Sequence, residues 1–125
     1  MIRTSRKRDI EQATKLIKKI GGQKVRFIAL YGSTAVGTIT PLSDIDMAVY
    51  YDGNKDERFI FRMKIMGRIN DDFDVHIFQD LPLYIRKEII SHGKMVYHRG
   101  FNAVNLKMGY RLIDIRSPLE VVPYE

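Results

Sequence analysis

The sequence predicts an α/β domain built as a small mixed sheet flanked by helices. Three observations predict it. Apolar, β-branched and aromatic runs of strand length stand at residues 25–31, 45–51 and 73–78, with a shorter one at 95–98. Between them lie segments whose apolar residues recur every three or four positions. Turn signals punctuate the changes of period: Gly21-Gly22, Asp52-Gly53-Asn54, Asn70-Asp71-Asp72, Pro82 and Gly93. Strands that alternate with helices indicate a sheet covered by helices.

The first helix is expected over residues 9–20, where Ile10, Ala13, Ile17 and Ile20 share a face and Gly21-Gly22 ends it. Residues 25–31 read as a buried strand, and residues 32–37 as a tight turn opening a short helix. Residues 45–51 form the second strand. The spacing predicts a second helix over 57–69, with Phe59, Met63 and Met66 on its apolar stripe, widened by Phe61, Ile65 and Ile69. In the third strand Phe73, Val75 and Ile77 face one way, and Asp74 and His76 the other. Pro82 suits the first turn of a third helix that buries Ile85, Ile89 and Ile90. Residues 101–125 have two readings: a weak helix over 102–113, or an extra edge strand over 111–115. Pro118 and Pro123 keep the final eight residues extended.

At 125 residues and 45% hydrophobic, the chain supports one domain, 1–125, with its core at about 20–100. With 29% charged residues it does not read as disordered. It has no cysteine, which excludes disulfides, thiolate metal sites and a cysteine nucleophile. No secretory signal or membrane-spanning run is present, so the expectation is a cytoplasmic protein with no membrane partner. The net charge of +6 is concentrated before the first strand. A basic N-terminal helix of this kind suits either plain solvation or a nucleic acid, nucleotide or acidic protein surface.

The chemistry is concentrated in residues 30–50, LYGSTAVGTITPLSDIDMAVY. Gly32-Ser33 ends a strand where backbone amides and the Ser33 hydroxyl can donate to phosphate oxygens. Asp44 and Asp46 sit one residue apart, so a strand points both to one face while Ile45, Met47 and Val49 define the other. Asp74 adds a third carboxylate from inside its own strand, unlike Asp71 and Asp72 in the preceding turn. Three neighbouring carboxylates repel unless cations intervene, and hard oxygen ligands suit Mg²⁺. Two ions ~3.5–4 Å apart would bridge an attacking oxygen, the reacting phosphorus and a leaving group. His76 shares the Asp74 face and reads first as a surface residue, with a role supporting the site or the acceptor as the other reading. Arg62, Lys64 and Arg68 read as a positive rim or a solvated helix face.

The combination of Gly32-Ser33, a spacer, Asp44-Ile45-Asp46 with apolar neighbours, and a later Asp74 resembles the minimal nucleotidyltransferases of the DNA polymerase beta superfamily. The passage from Leu81-Pro82 to Gly93-Lys94-Met95-Val96-Tyr97 is also similar to that family. The resemblance implies a polymerase-beta-like fold that moves a nucleoside monophosphate from a nucleoside triphosphate, with ATP the leading candidate, to a hydroxyl. It implies Mg²⁺ at Asp44, Asp46 and Asp74, with phosphates at Gly32 and Ser33. It also implies an antitoxin-like role beside a helical HEPN-type partner whose tyrosine accepts AMP. The chain carries no further domain to grip an acceptor, so an assembly is expected, a homodimer being the simpler form. Two other readings stand beside it: a non-catalytic antitoxin or regulatory partner using the same fold, and a basic nucleic-acid-binding protein.

Overall fold

A computed structural model of the chain describes residues 4–32, 44–99, 110–112 and 121–123, with residues 4–6 and the last two stretches described by backbone alone. The elements run α1 (Thr4–Gly21), β1 (Val25–Tyr31), β2 (Ile45–Tyr51), α2 (Lys55–Met66), β3 (Phe73–Ile77), α3 (Leu83–His92), β4 (Lys94–His98), β5 (Tyr110–Leu112) and β6 (Val121–Pro123). The main sheet has the order β3-β2-β1-β4. β1 lies antiparallel to β2 and to β4, and β2 lies parallel to β3. A parallel pair needs a crossover, and α2 supplies it. The expected mixed sheet with helices is therefore present, and the first two strands have the expected bounds.

The period of two sorts side chains onto two faces. One face joins Ile28, Leu30, Met47, Val49 and Val75 to α1 and α2 in a single core. α1 contributes Ile10, Ala13 and Ile17, the expected stripe. The other face packs Phe27, Ala29, Ala48, Tyr50 and Phe78 against Ile89 of α3. Each large side chain so buried contributes roughly 1.5–3 kcal/mol. Asp46 and Asp74 stand on this same face, beyond the residues packed against α3, and both are half-buried.

Four expectations need correction. α1 begins at Thr4, well before residue 9, because the polar residues of its first turns are adequate helix formers without an apolar stripe. α2 turns the opposite stripe inward: Phe61 and Ile65 are buried, whereas Phe59, Met63 and Met66 are exposed. Phe61 stacks on Tyr51 with ring centroids 4.0 Å apart and an 11° interplanar angle, which fixes the rotation of the helix. α2 also starts earlier than expected, at Lys55, because Asn54 and Glu57 form a capping box. At the chain end, β5 pairs with β6 in a separate two-stranded sheet. Residues 110–112 are thus neither helical nor an added edge of the main sheet. Residues 101–109 and 113–115 lie outside the described residues, as does the short helix expected after Gly32.

Two polar devices hold β3 in register. The Gln79 side chain accepts from Tyr51 N at 3.2 Å and donates to Tyr51 O, extending the β2–β3 ladder past its last strand pair. Arg62 Nε donates to Val75 O at 2.8 Å. Its guanidinium thus satisfies a carbonyl on β3, the edge strand of the sheet.

Candidate active site

The register of three strands builds a row of polar side chains. Tyr31 on β1 is opposite Asp46 on β2, and Asp46 is opposite Asp74 on β3. One step along, Ala48 is paired with His76. The parity of β2 puts Asp46 on the face of Ala48 and Tyr50, away from Ile45, Met47 and Val49. Asp44 is exposed, immediately precedes β2 and shares the Asp46 parity.

Gly32 closes the row at the end of β1. Its φ of +64° lies in the left-handed region, and a Cβ there would be 2.8 Å from Asp46 Oδ2. Glycine is therefore required twice, once by the backbone angle and once by the carboxylate against it. Ser33, the partner of Gly32 in the sequence motif, lies outside the described residues.

The electrostatics follow from this crowding. Burial raises the Asp46 carboxyl above the usual aspartate range, and the charges of Asp74 and Asp44 raise it further; His76 opposes them. Tyr31 is raised above its ordinary value by burial first and then by Asp46 and Asp74, with Arg62 opposing. His76 Nε2 lies 3.0 Å from Asp74 Oδ2, and the imidazole is half-buried. Sequence reasoning read His76 first as exposed, with a site role as the other reading, offered Arg62 only as part of a positive rim, and did not place Tyr31 at this row. The i,i+2 spacing of Asp74 and His76 was the available signal for one of these contacts. Nothing local to Tyr31 discloses the strand that pairs with it.

The donor set is all hard oxygen: Asp46 and Asp74 side by side, with Asp44 just before them. Among the described residues no three acidic or imidazole side chains converge as a closed metal-binding cluster. Mg²⁺ is commonly held by one or two carboxylates together with substrate phosphates. The Asp46 carboxyl is raised first by burial and then by repulsion from Asp74 and Asp44, and a cation would relieve that repulsion. The residues present fit such an ion.

Beyond Asp74 a groove of about 510 Å³ runs along the β3 edge, lined by Lys55, Arg58, Phe59, Arg62, His76 and Leu81 among others. Arg58 is anchored there to Asp80 at 2.9 Å and to Gly53 O at 2.9 Å. A second groove, about 650 Å³, lies between α1 and β4 beneath Lys7, Lys15, Lys18 and Lys94. Its floor includes Leu30, whose side chain belongs to the face opposite the carboxylates. Among the described residues no helix is long and apolar enough to cross a membrane.

The chain is similar to known proteins in sequence and in fold. A Methanocaldococcus jannaschii protein named as a protein adenylyltransferase is 40% identical over 75 residues, 59% of this chain and 57% of its own length. The chain thus matches little more than half of that relative. A solved toxin-antitoxin structure with AMP-PNP superposes with a TM-score of 0.58 at 20% identity, over 78% of this chain and 80% of the other. The complex of tri-AMPylated Shewanella oneidensis HEPN toxin with its MNT antitoxin superposes with a TM-score of 0.53 at 18% identity, over 80% of this chain and 81% of the other. At these identities the structural likeness is one of fold. The sequence pattern described as "Polymerase beta, Nucleotidyltransferase" matches residues 11–102, taking in α1 from its second turn, all four strands of the main sheet, and Gly32, Asp46 and Asp74. With most of the chain inside that match, the protein belongs to the polymerase beta nucleotidyltransferase family.

Proposed function

We propose that the chain transfers AMP from ATP to a hydroxyl of a protein acceptor, a tyrosine of a HEPN-type helical partner, in the manner of an antitoxin. The observation that carries the reading is the row of Asp46 and Asp74 on adjacent strands, closed at one end by the Gly32 turn. Family membership sets the reaction class. The relative's name and the AMPylated toxin of the neighbouring structure support the choice of nucleotide and acceptor.

In the proposed reaction the acceptor oxygen attacks the α-phosphorus, the bond from that phosphorus to the bridging oxygen breaks, and pyrophosphate leaves. Asp44, Asp46 and Asp74 would hold Mg²⁺, which when bound would supply charge neutralisation along the triphosphate and a lowered pKa for the acceptor hydroxyl. Gly32 and Ser33 receive phosphate oxygens at a turn with no side chain in the way. Asp74 stands on the edge strand, on the acceptor side of Asp46, and supports loss of the hydroxyl proton. His76 holds Asp74 in place through the contact of 3.0 Å. The chain acts by orientation and charge placement; no nucleophilic side chain takes part.

The test is transfer of label from α-labelled ATP with Mg²⁺ to a purified HEPN-type protein of the same host. The double substitution Asp44→Asn with Asp46→Asn is expected to abolish labelling and preserve the circular dichroism spectrum. Labelling by the double variant at the native rate would remove both carboxylates from the mechanism.

A further inference from the structure

α2 is clad on its outer side with large apolar groups that the core does not use. Phe59 is 66% exposed, Ile60 53%, Met63 51% and Met66 37%. Positions 59, 63 and 66 follow the i, i+4, i+7 rule, so these side chains form one stripe along the helix. A lone exposed leucine needs no explanation, but a contiguous stripe of four large apolar groups does. Its composition is that of a protein interface, where aromatic residues, methionine and arginine are enriched.

The stripe is joined to the candidate active site. Phe59 belongs to the wall of the groove along β3, and His76 lies at the same groove while touching Asp74. Across the sheet the order is Gly32 at the end of β1, Asp46 on β2 and Asp74 on the edge strand β3, and His76, one step along β3 from Asp74, lines the groove. Anything seated in the groove therefore reaches Asp74 from the side opposite Gly32, away from the turn that receives phosphates. That is the approach an acceptor requires. Lys55, Arg58, Arg62 and Asp80 edge the groove; Arg58 pairs with Asp80 and Arg62 donates to the Val75 carbonyl, so among the described residues the margin is cationic on balance. The surface thus combines an apolar helical stripe with a cationic margin.

We propose that the outer face of α2 and the adjoining groove are the docking surface for the acceptor protein, which presents an apolar helix flanked by carboxylates. The apolar face of that helix packs against Phe59, Ile60, Met63 and Met66, ridge into groove. Its acidic residues meet Lys55 and Arg62, and its acceptor hydroxyl is delivered past His76 to Asp74. This rests on the transfer reading above for the nature of the site; the position of the docking surface is a separate claim and is tested separately.

The experiment compares the native chain with Phe59→Asp/Met63→Asp and with Lys55→Glu, all exposed positions, after thermal melts establish that each is folded. The probe is the HEPN-type protein of the same host. Calorimetry gives its affinity and that of Mg·ATP, and label transfer gives kcat and KM for the acceptor. The double variant is expected to weaken the acceptor complex and raise its KM at least ~30-fold, with Mg·ATP affinity changed less than ~2-fold. Lys55→Glu is expected to weaken the complex ~5-fold and to flatten its salt dependence. A native complex that forms and is lost in the double variant supports the docking surface even if no label is transferred, and in that case the transfer reading fails alone. Acceptor binding and transfer unchanged in the double variant would overturn the proposal and leave the transfer reading standing. So would a ~10-fold loss of Mg·ATP affinity, which would place nucleotide in the groove. A native self-association abolished by the variant, with acceptor binding intact, would overturn it in favour of a second copy of the chain.

Discussion

Gly22 and Gly32 form an internal control for the role of the Asp46 carboxylate. Both adopt left-handed backbone, with φ of +58° and +64°. An alanine at either position incurs the same conformational penalty, about 1–2 kcal/mol. At roughly 4 °C per kcal/mol, each variant should melt about 4–8 °C below the native protein. The surroundings differ. A Cβ at Gly22 meets nothing within 4 Å, whereas at Gly32 it would be 2.8 Å from Asp46 Oδ2. Ordinary contact begins near 3.4 Å, so the carboxylate oxygen must retreat by 3.4 − 2.8 = 0.6 Å or more. Because that oxygen ends a short rotatable side chain, the additional stability cost is modest, about 0.5–1.5 kcal/mol. The functional cost is larger, because moving a catalytic group by ~1 Å can slow a reaction ~100-fold. Gly22→Ala and Gly32→Ala are thus expected to melt within ~1.5 kcal/mol of each other while differing by one to two orders of magnitude in AMP transfer. Thermal melts and labelled-ATP transfer measure the two quantities. Equal transfer rates for the two variants would refute the argument that the Gly32 cradle places Asp46.

Asp46→Asn provides a pH test. The native carboxyl is raised, so the folded state binds its proton more tightly than the unfolded chain does, and stability falls as pH rises through the raised value. Without metal, the asparagine variant should therefore melt above the native protein at about pH 7 and level with it at about pH 3, and Mg²⁺ should raise only the native melting temperature. A variant less stable than native at neutral pH would show the carboxylate to be a structural hydrogen-bonding group. Asn54→Ala removes one half of the capping box on α2 and should cost about 1 kcal/mol, read as a lower midpoint in urea, with AMP transfer by the folded fraction unchanged.

Much of the domain was legible because strand and helix periods are local properties. β1 and β2 show their bounds in β-branched and aromatic runs ended by turn signals. The alternation in Phe73–Ile77 disclosed which side of β3 bears Asp74. Where two answers fit the same local pattern, the packing decided. The apolar residues of α2 lie on two sides of the helix with charged residues between them, so its periodicity admits both the Phe59/Met63/Met66 stripe and the Phe61/Ile65 stripe; the stacking of Phe61 on Tyr51 selects the second. The site shows the same division. Asp44, Asp46 and Asp74 were found from parity within single strands. Tyr31 joins them only through the β1–β2 register, and Arg62 only by folding back from α2 onto the β3 backbone, neither of which is written in neighbouring residues.

The order in which the sheet can be assembled follows from its strand order. β1 is central, yet its two partners come from very different distances along the chain: Leu30 meets Met47 on one side and Lys94 on the other. Loop-closure entropy rises with the intervening length, so the β1–β2 ladder is the cheaper to close, and β3 joins it through the adjoining α2 crossover. During synthesis, β1, β2 and β3 have all emerged before β4 exists. The carboxylate row can therefore form early, on the half of the sheet with local connections. β4 is left to close the far edge last, in a step that pairs Phe27–Leu30 and leaves the row untouched.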